Sequence, residues 1–153
     1  MKCHIIWLGK SRDSWVKEAI AEYGGRISRY IPLAIDELKD EKDASCEEGK
    51  CREGERLLKK IPSNAILVVL DERGEQMDSR QLAGFIDKHR DAGTAELVFA
   101  VGGAYGFSDQ IRKRADKLLS LSRMTFTHQM VRPFLLEQIY RAFTILNNEP
   151  YHH

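Results

Sequence analysis

Hydrophobic and polar positions change period repeatedly along this chain, and each change marks an element. Lys2 to Leu8 is a β-like run. From about Trp15 to Arg29, Trp15, Ala19, Ile20 and Tyr23 share one helical face, with Asp13 or Ser14 as the cap. Gly24-Gly25 is expected to interrupt that helix, and Pro32 closes the unit. Leu33 to Leu38 alternates loosely, as a second strand does. The charged stretch Lys39 to Lys60 predicts a loop and then a solvent-exposed helix. After the turn Pro62-Ser63-Asn64, Ala65 to Leu70 is continuously apolar, the mark of a strand buried on both faces. Arg73-Gly74 reads as a loop, Ser79 as the cap of a helix reaching about Arg90, and Asp91-Ala92-Gly93 as its end. Glu96 to Val101 is another buried strand, Ser108 caps a short helix through about Ala115, and Leu118 to Ser122 is a last short strand. Met130 to Leu146 returns to helical spacing.

Strand and helix alternate throughout, which predicts an α/β fold with a parallel sheet sheathed by helices. Ligands of such sheets bind outside the carboxyl ends of the strands. Three ends are chemically suggestive: Leu70-Asp71-Glu72, Gly102-Gly103 and Ser122-Arg123-Met124-Thr125. Glycines directly after a strand admit a ligand to the backbone. Gly-Gly-Ala-Tyr-Gly is neither a dinucleotide fingerprint nor a P-loop, and it fits a tight turn as well as a cofactor loop. In the last helix, Met130, Val131, Phe134, Leu135, Ile139, Phe143 and Leu146 form a broad apolar stripe. It fits core packing, or packing in part on a second subunit. Glu137 and Arg141 are spaced for an ion pair and are also candidates for substrate or subunit contact.

Composition narrows the class. At 153 residues, 42% hydrophobic and 31% charged, the chain suits one soluble globular domain. No apolar run approaches the ~20 residues of a membrane span. The apolar core of the N-terminus is too short for an export signal, so a cytoplasmic location with reduced cysteines is expected. Net charge is only +1, yet Gln110 to Arg141 sets seven bases against two acids, Asp116 and Glu137. That permits a polyanionic partner, though solvated helix faces would give the same pattern. Cys46 and Cys51 lack metal-site spacing and a matching His pair, so no metal is expected. HExxH and GxSxG are both missing.

Four motifs, LDERG, FAVGGAYGFS, LSLSRMTFTHQMVRPFLLEQIYRAF and EPYHH, stand in this order across the chain. Together they resemble the RlmH family, SPOUT-class methyltransferases that modify N3 of a pseudouridine in bacterial large-subunit (23S) ribosomal RNA using S-adenosylmethionine. The resemblance spans the chain and is strongest from Leu70 onward. It implies one SPOUT domain over residues 1–153, with a C-terminal trefoil knot, working as a homodimer on the ribosome. It implies cofactor contacts at Leu70, Gly102, Leu121, Ser122, Arg123, Met124, Thr125 and Phe126. Catalytic roles would fall to Glu137, Arg141 and His152, with Glu137, His152 or water as proton acceptor. RNA would meet Arg132, Tyr151 and His153, and its phosphates Arg112, Lys113, Arg114 and Arg123. The chain departs from the family pattern at Thr127, in place of a proline, at Pro133, in place of an aliphatic residue, and at His153, in place of Lys or Arg. Pro133 leaves two alternatives, a helix starting near it or a kink. Two further functions stay open: a methyltransferase of transfer RNA, and a ribosome-binding factor that kept the fold without the chemistry.

Overall fold

A computed structural model describes all 153 residues, Met1–His153. Along the chain lie β1 (Lys2–Leu8), α1 (Ser14–Ile27), β2 (Leu33–Leu38), α2 (Glu47–Leu58) and β3 (Ile66–Gln76). They are followed by α3 (Ser79–Asp91), β4 (Glu96–Val101), α4 (Asp109–Arg114), β5 (Lys117–Ser120) and α5 (Val131–Leu146). The five strands form one parallel sheet in the order β2-β1-β4-β3-β5.

Side-chain alternation divides the core into two layers. Cys3, Ile5 and Trp7 of β1 face one side with Val68, Leu97, Phe99 and Val101, under α1, α3 and α5. Ile6 and Leu8 face the other with Leu67, Val69, Val98 and Ala100, closed by Leu57 of α2 and Ile111 of α4. Burial on both faces is why these strands read as unbroken apolar runs. α5 packs against both α1 and α3.

Several boundaries depart from the sequence expectation for physical reasons. α1 runs through Gly24 and Gly25 without a break. Gly24 is buried beside Leu33 and Ile35 of β2, and that packing outweighs glycine's poor helix propensity. The cap of α3 is Asp78, one residue before Ser79. Its Oδ1 accepts from Gln81 N at 2.7 Å while Gln81 Oε1 accepts from Asp78 N at 2.8 Å, a reciprocal capping box. α2 is amphipathic rather than solvent-exposed: Leu57 is fully buried and Gly54 lies against Ile111 of α4.

The expected loop at Arg73-Gly74 lies inside β3. Leu70 and Glu75 both oppose Leu119 of β5, so residues 71–74 bulge out at the carboxyl end of the sheet. A Cβ on Gly74 would sit 2.7 Å from the Leu118 carbonyl, so only glycine fits this approach. β5 ends at Ser120, and the chain then runs irregularly to Val131. Pro133 falls in the first turn of α5, where its missing N–H breaks no intrahelical bond. No helix is long and apolar enough to cross a membrane.

Candidate cofactor cavity and C-terminal cluster

The carboxyl ends of β3, β4 and β5 enclose a cavity of about 600 Å³, within the range of small-molecule sites. Three segments wall it: Leu70 to Arg73 in the bulge, Val101 to Phe107 after β4, and the chain from Leu121 to Val131. Gly102 and Gly103 present bare backbone there, and a Cβ on Gly102 would come 3.3 Å from the Phe107 ring. Leu70, Gly102, Leu121, Ser122, Met124, Thr125 and Phe126 all line the cavity, whereas Arg123 is exposed and outside its lining. Hydroxyl groups shape the third segment. Ser120 Oγ donates to Ser122 O at 2.8 Å, and Ser122 Oγ accepts from Met124 N at 3.0 Å. Thr127 Oγ1 accepts from Met130 N at 3.2 Å, a constraint on the entry to α5 at the position where the family pattern has proline.

Charged groups also line the cavity. Asp71 Oδ2 accepts from Arg112 Nε at 2.7 Å, and Oδ1 accepts from Arg73 N at 2.9 Å. Burial alone would raise the Asp71 carboxyl, but these bonds outweigh it and hold the pKa below the usual carboxylate range. His128 is pushed below its ordinary value by burial and then by the Arg132 and Arg12 charges, so its ring is neutral at pH 7.

Arg132 is placed where no RNA reaches it. Its side chain is fully buried, and both Nη atoms are bonded inside the protomer while Nε has no partner. Nη2 donates to Leu8 O at 2.8 Å and Gly9 O at 3.1 Å, Nη1 donates to Ser11 Oγ at 2.9 Å, and the guanidinium lies 5.0 Å from the Trp7 ring. Burial pushes its pKa down to about 10, against the pull of Glu37 and Asp40, yet it stays charged at neutral pH. Glu37 Oε1 in turn accepts from Ser11 Oγ, Ser11 N and Trp7 Nε1. The start of α5 is thereby clamped to the carboxyl end of β1. Gln129 adds a reciprocal pair, donating to Lys10 O at 3.0 Å and accepting from Arg12 N at 3.1 Å.

The three consecutive bases of α4 diverge. Arg112 enters the cavity wall, Lys113 is exposed, and Arg114 donates to Asp116 and to the Ala65 carbonyl at the opposite end of β3. A single phosphate-binding patch of all three does not form.

Glu137 and Arg141 of α5 meet Tyr151 of the C-terminal tail, and none of the three lines the cavity of their own protomer. Glu137 Oε1 accepts from Arg141 Nε at 3.1 Å and from the Tyr151 hydroxyl at 3.0 Å, while Oε2 accepts from Gln138 Nε2 at 2.8 Å. Tyr151 packs edge-on against Tyr140, and Arg141 lies over its ring. Burial, followed by bonds to Tyr23 and Glu137, raises the Tyr151 hydroxyl well above its ordinary value. His152 is half-buried with Nδ1 lacking a partner, and His153 is exposed.

A family model described as "Predicted SPOUT methyltransferase" matches residues 1–152. The chain belongs to the SPOUT methyltransferase family. Among its curated relatives, the ribosomal RNA large subunit methyltransferase H of Trichlorobacter lovleyi is 73% identical over the full length of both chains. Proteins of the same name from Pelobacter propionicus and Geotalea uraniireducens are 64% and 61% identical, also over full length.

Within this SPOUT fold, the sequence reading lacked two arrangements: the Asp71–Arg112 pair in the cavity, and the Trp7–Ser11–Glu37–Arg132 network. Both join residues far apart in the chain, 41 positions for the first and up to 124 for the bonds of Arg132. The only local signals were an acid directly after a strand and an arginine in an otherwise apolar helix start.

Proposed function

We propose that this SPOUT methyltransferase transfers the methyl group of S-adenosylmethionine to N3 of a pseudouridine in 23S ribosomal RNA. It acts as a homodimer on the assembled ribosome, in the cytoplasm. The observation that carries this reading is the cavity at three strand ends, in a chain 73% identical throughout to a protein named for large-subunit ribosomal RNA methylation.

The residues present fit the donor. Bare backbone at Gly102 and Gly103 leaves room for an adenosine to approach main-chain groups, and Leu70, Leu119, Leu121 and Phe126 supply apolar walls. The bound donor supplies a methyl already activated on a sulfonium. What falls to this chain is to align the base, exclude water and accept the N3 proton. His128, its pKa lowered by burial, would bring little positive charge to a cavity that is to hold a sulfonium. The acids and bases assigned to catalysis lie outside the cavity of their own protomer, which favours a site completed by the second copy's C-terminal tail. Met130 just before α5 and Phe134 within it are exposed, with Phe126 5.3 Å from Phe134, an apolar strip suited to that copy. Two acceptors for the N3 proton remain: Glu137, whose Oε2 accepts only from Gln138, and His152, whose Nδ1 has no partner. Exposed Lys113 and Arg123 then meet RNA phosphates. The return of the chain from the edge strand β5 to the end of β1, past the 71–74 bulge, favours a threaded trefoil knot.

Labelled S-adenosylmethionine offered with whole ribosomes, free large subunits and transfer RNA tests the assignment. Whole ribosomes lacking the methyl are expected to take up one label at a pseudouridine. No uptake by ribosomes while the donor binds overturns it, and uptake by transfer RNA alone moves the substrate.

A further inference from the structure

Arg112 lines the cavity with most of its hydrogen-bonding capacity unspent. Only Nε is firmly engaged, by Asp71 Oδ2 at 2.7 Å. Nη1 reaches Asp109 at 3.3 Å, a carboxylate whose side chain is 86% exposed. Nη2 makes no hydrogen bond within the protein and lies 3.7 Å from the place a Gly106 Cβ would occupy, on the loop that bounds the cavity. The side chain of Asp71 is 7% exposed and that of Arg112 is 26% exposed. The guanidinium is thus held in one orientation by a fixed carboxylate, with its remaining N–H groups free on the cavity wall beside Gly106.

We propose that Arg112, steadied by Asp71, binds the carboxylate of the methyl donor's amino-acid tail and so selects the intact donor over adenosine derivatives that lack the tail. This rests on the donor assignment made above. A guanidinium presents a planar fork matched to a carboxylate, and such charge-assisted bonds are about twice as strong as neutral ones. Partial burial strengthens them further, because solvent screens less there. The tail carries an ammonium next to its carboxylate, and Asp71 places a negative charge next to the guanidinium, so the zwitterion meets both signs. Asp71 also removes rotamer freedom from Arg112 before the donor arrives, which lowers the cost of binding. Nothing in the adenosine half of the donor calls for a cation at this point. RNA phosphates have better-exposed partners in Lys113 and Arg123.

The test is calorimetric and uses two ligands: S-adenosylhomocysteine, which has the tail, and 5′-methylthioadenosine, which lacks it. Arg112→Ala is expected to weaken S-adenosylhomocysteine about tenfold or more while leaving methylthioadenosine unchanged. Arg112→Lys, which keeps the charge without the fork, is expected to lose less, again on the tailed ligand only. Equal losses on both ligands, or no loss on either, overturn the proposal and leave the donor site standing. So does a loss of ribosome binding with S-adenosylhomocysteine unaffected, which would make Arg112 a phosphate contact. Failure of the unmodified protein to bind either ligand would instead sink the donor assignment itself. If Arg112→Ala does not fold, the Arg112→Lys comparison decides alone, because it too must separate the two ligands.

Discussion

The two halves of the sheet's carboxyl rim are built on opposite rules. At β1 and β2 the polar groups are spent on one another: Arg132 on two carbonyls and Ser11, and Glu37 on Ser11 and Trp7. At β3, β4 and β5 the rim is open, with glycine backbone, an arginine with idle N–H groups and an aromatic, Tyr105, 58% exposed. A buried network turned inward offers little to a ligand, but it fixes the chain that returns from β5. Unsaturated groups are useful only if something holds them in place. The closed half supplies that support, since the segment walling the cavity is tied down at Gln129 and Arg132.

Removing the clamp is expected to have the largest effect. Arg132→Ala leaves the Leu8 and Gly9 carbonyls and Ser11 without their buried donor, and should cost roughly 3–5 kcal/mol in urea denaturation. Arg112→Ala, across the rim, should cost under about 1 kcal/mol because its pair is partly solvated. Similar losses would erase the distinction between the halves.

The reverse pattern is expected at Gly102. A methyl there meets the Phe107 ring at 3.3 Å and covers backbone that faces the cavity. Gly102→Ala should lower stability by only about 1 kcal/mol yet weaken S-adenosylhomocysteine about tenfold by calorimetry. Unchanged affinity with a large stability loss would show that this loop belongs to the supporting half.

Acid titration gives the smallest effect. Burial raises the Glu37 carboxyl, but bonds from Ser11 and Trp7 outweigh it and leave the pKa below the ordinary value. A depressed carboxylate contributes stability that is complete above its unfolded pKa of about 4 and is lost as pH falls through the folded value. Glu37→Gln should therefore unfold with a flatter acid limb below about pH 4, and the change should be modest because Glu37 is largely solvent-exposed. An unchanged limb would remove Glu37 from the clamp.

Much of this was legible in the chain. Ala65 to Leu70 and Glu96 to Val101 announced buried parallel strands, because strands covered on both faces are apolar at nearly every position. Glycines after a strand pointed to the cavity for a local reason too, the lack of a Cβ. The surroundings of Arg132 and Arg112 were not legible on local grounds. An arginine in a basic region is ordinarily solvated, and nothing within a few residues of either one reveals a partner dozens of positions away. Gly74 shows the same limit: a glycine after Arg73 signals a loop, and only the neighbouring backbone of β5 explains why it lies in a strand.

What the amino-acid sequence by itself determined is the alternation of elements, the two-sided burial of the central strands and the family to which the chain belongs. These depend on periodicity and motif, both carried by residues near one another. Tertiary structure alone decided which charges are spent and which are free. A charged group is neutralised or left available by what lies across space from it, and in this fold the neighbours of Arg132 and Arg112 come from strands on opposite halves of the sheet.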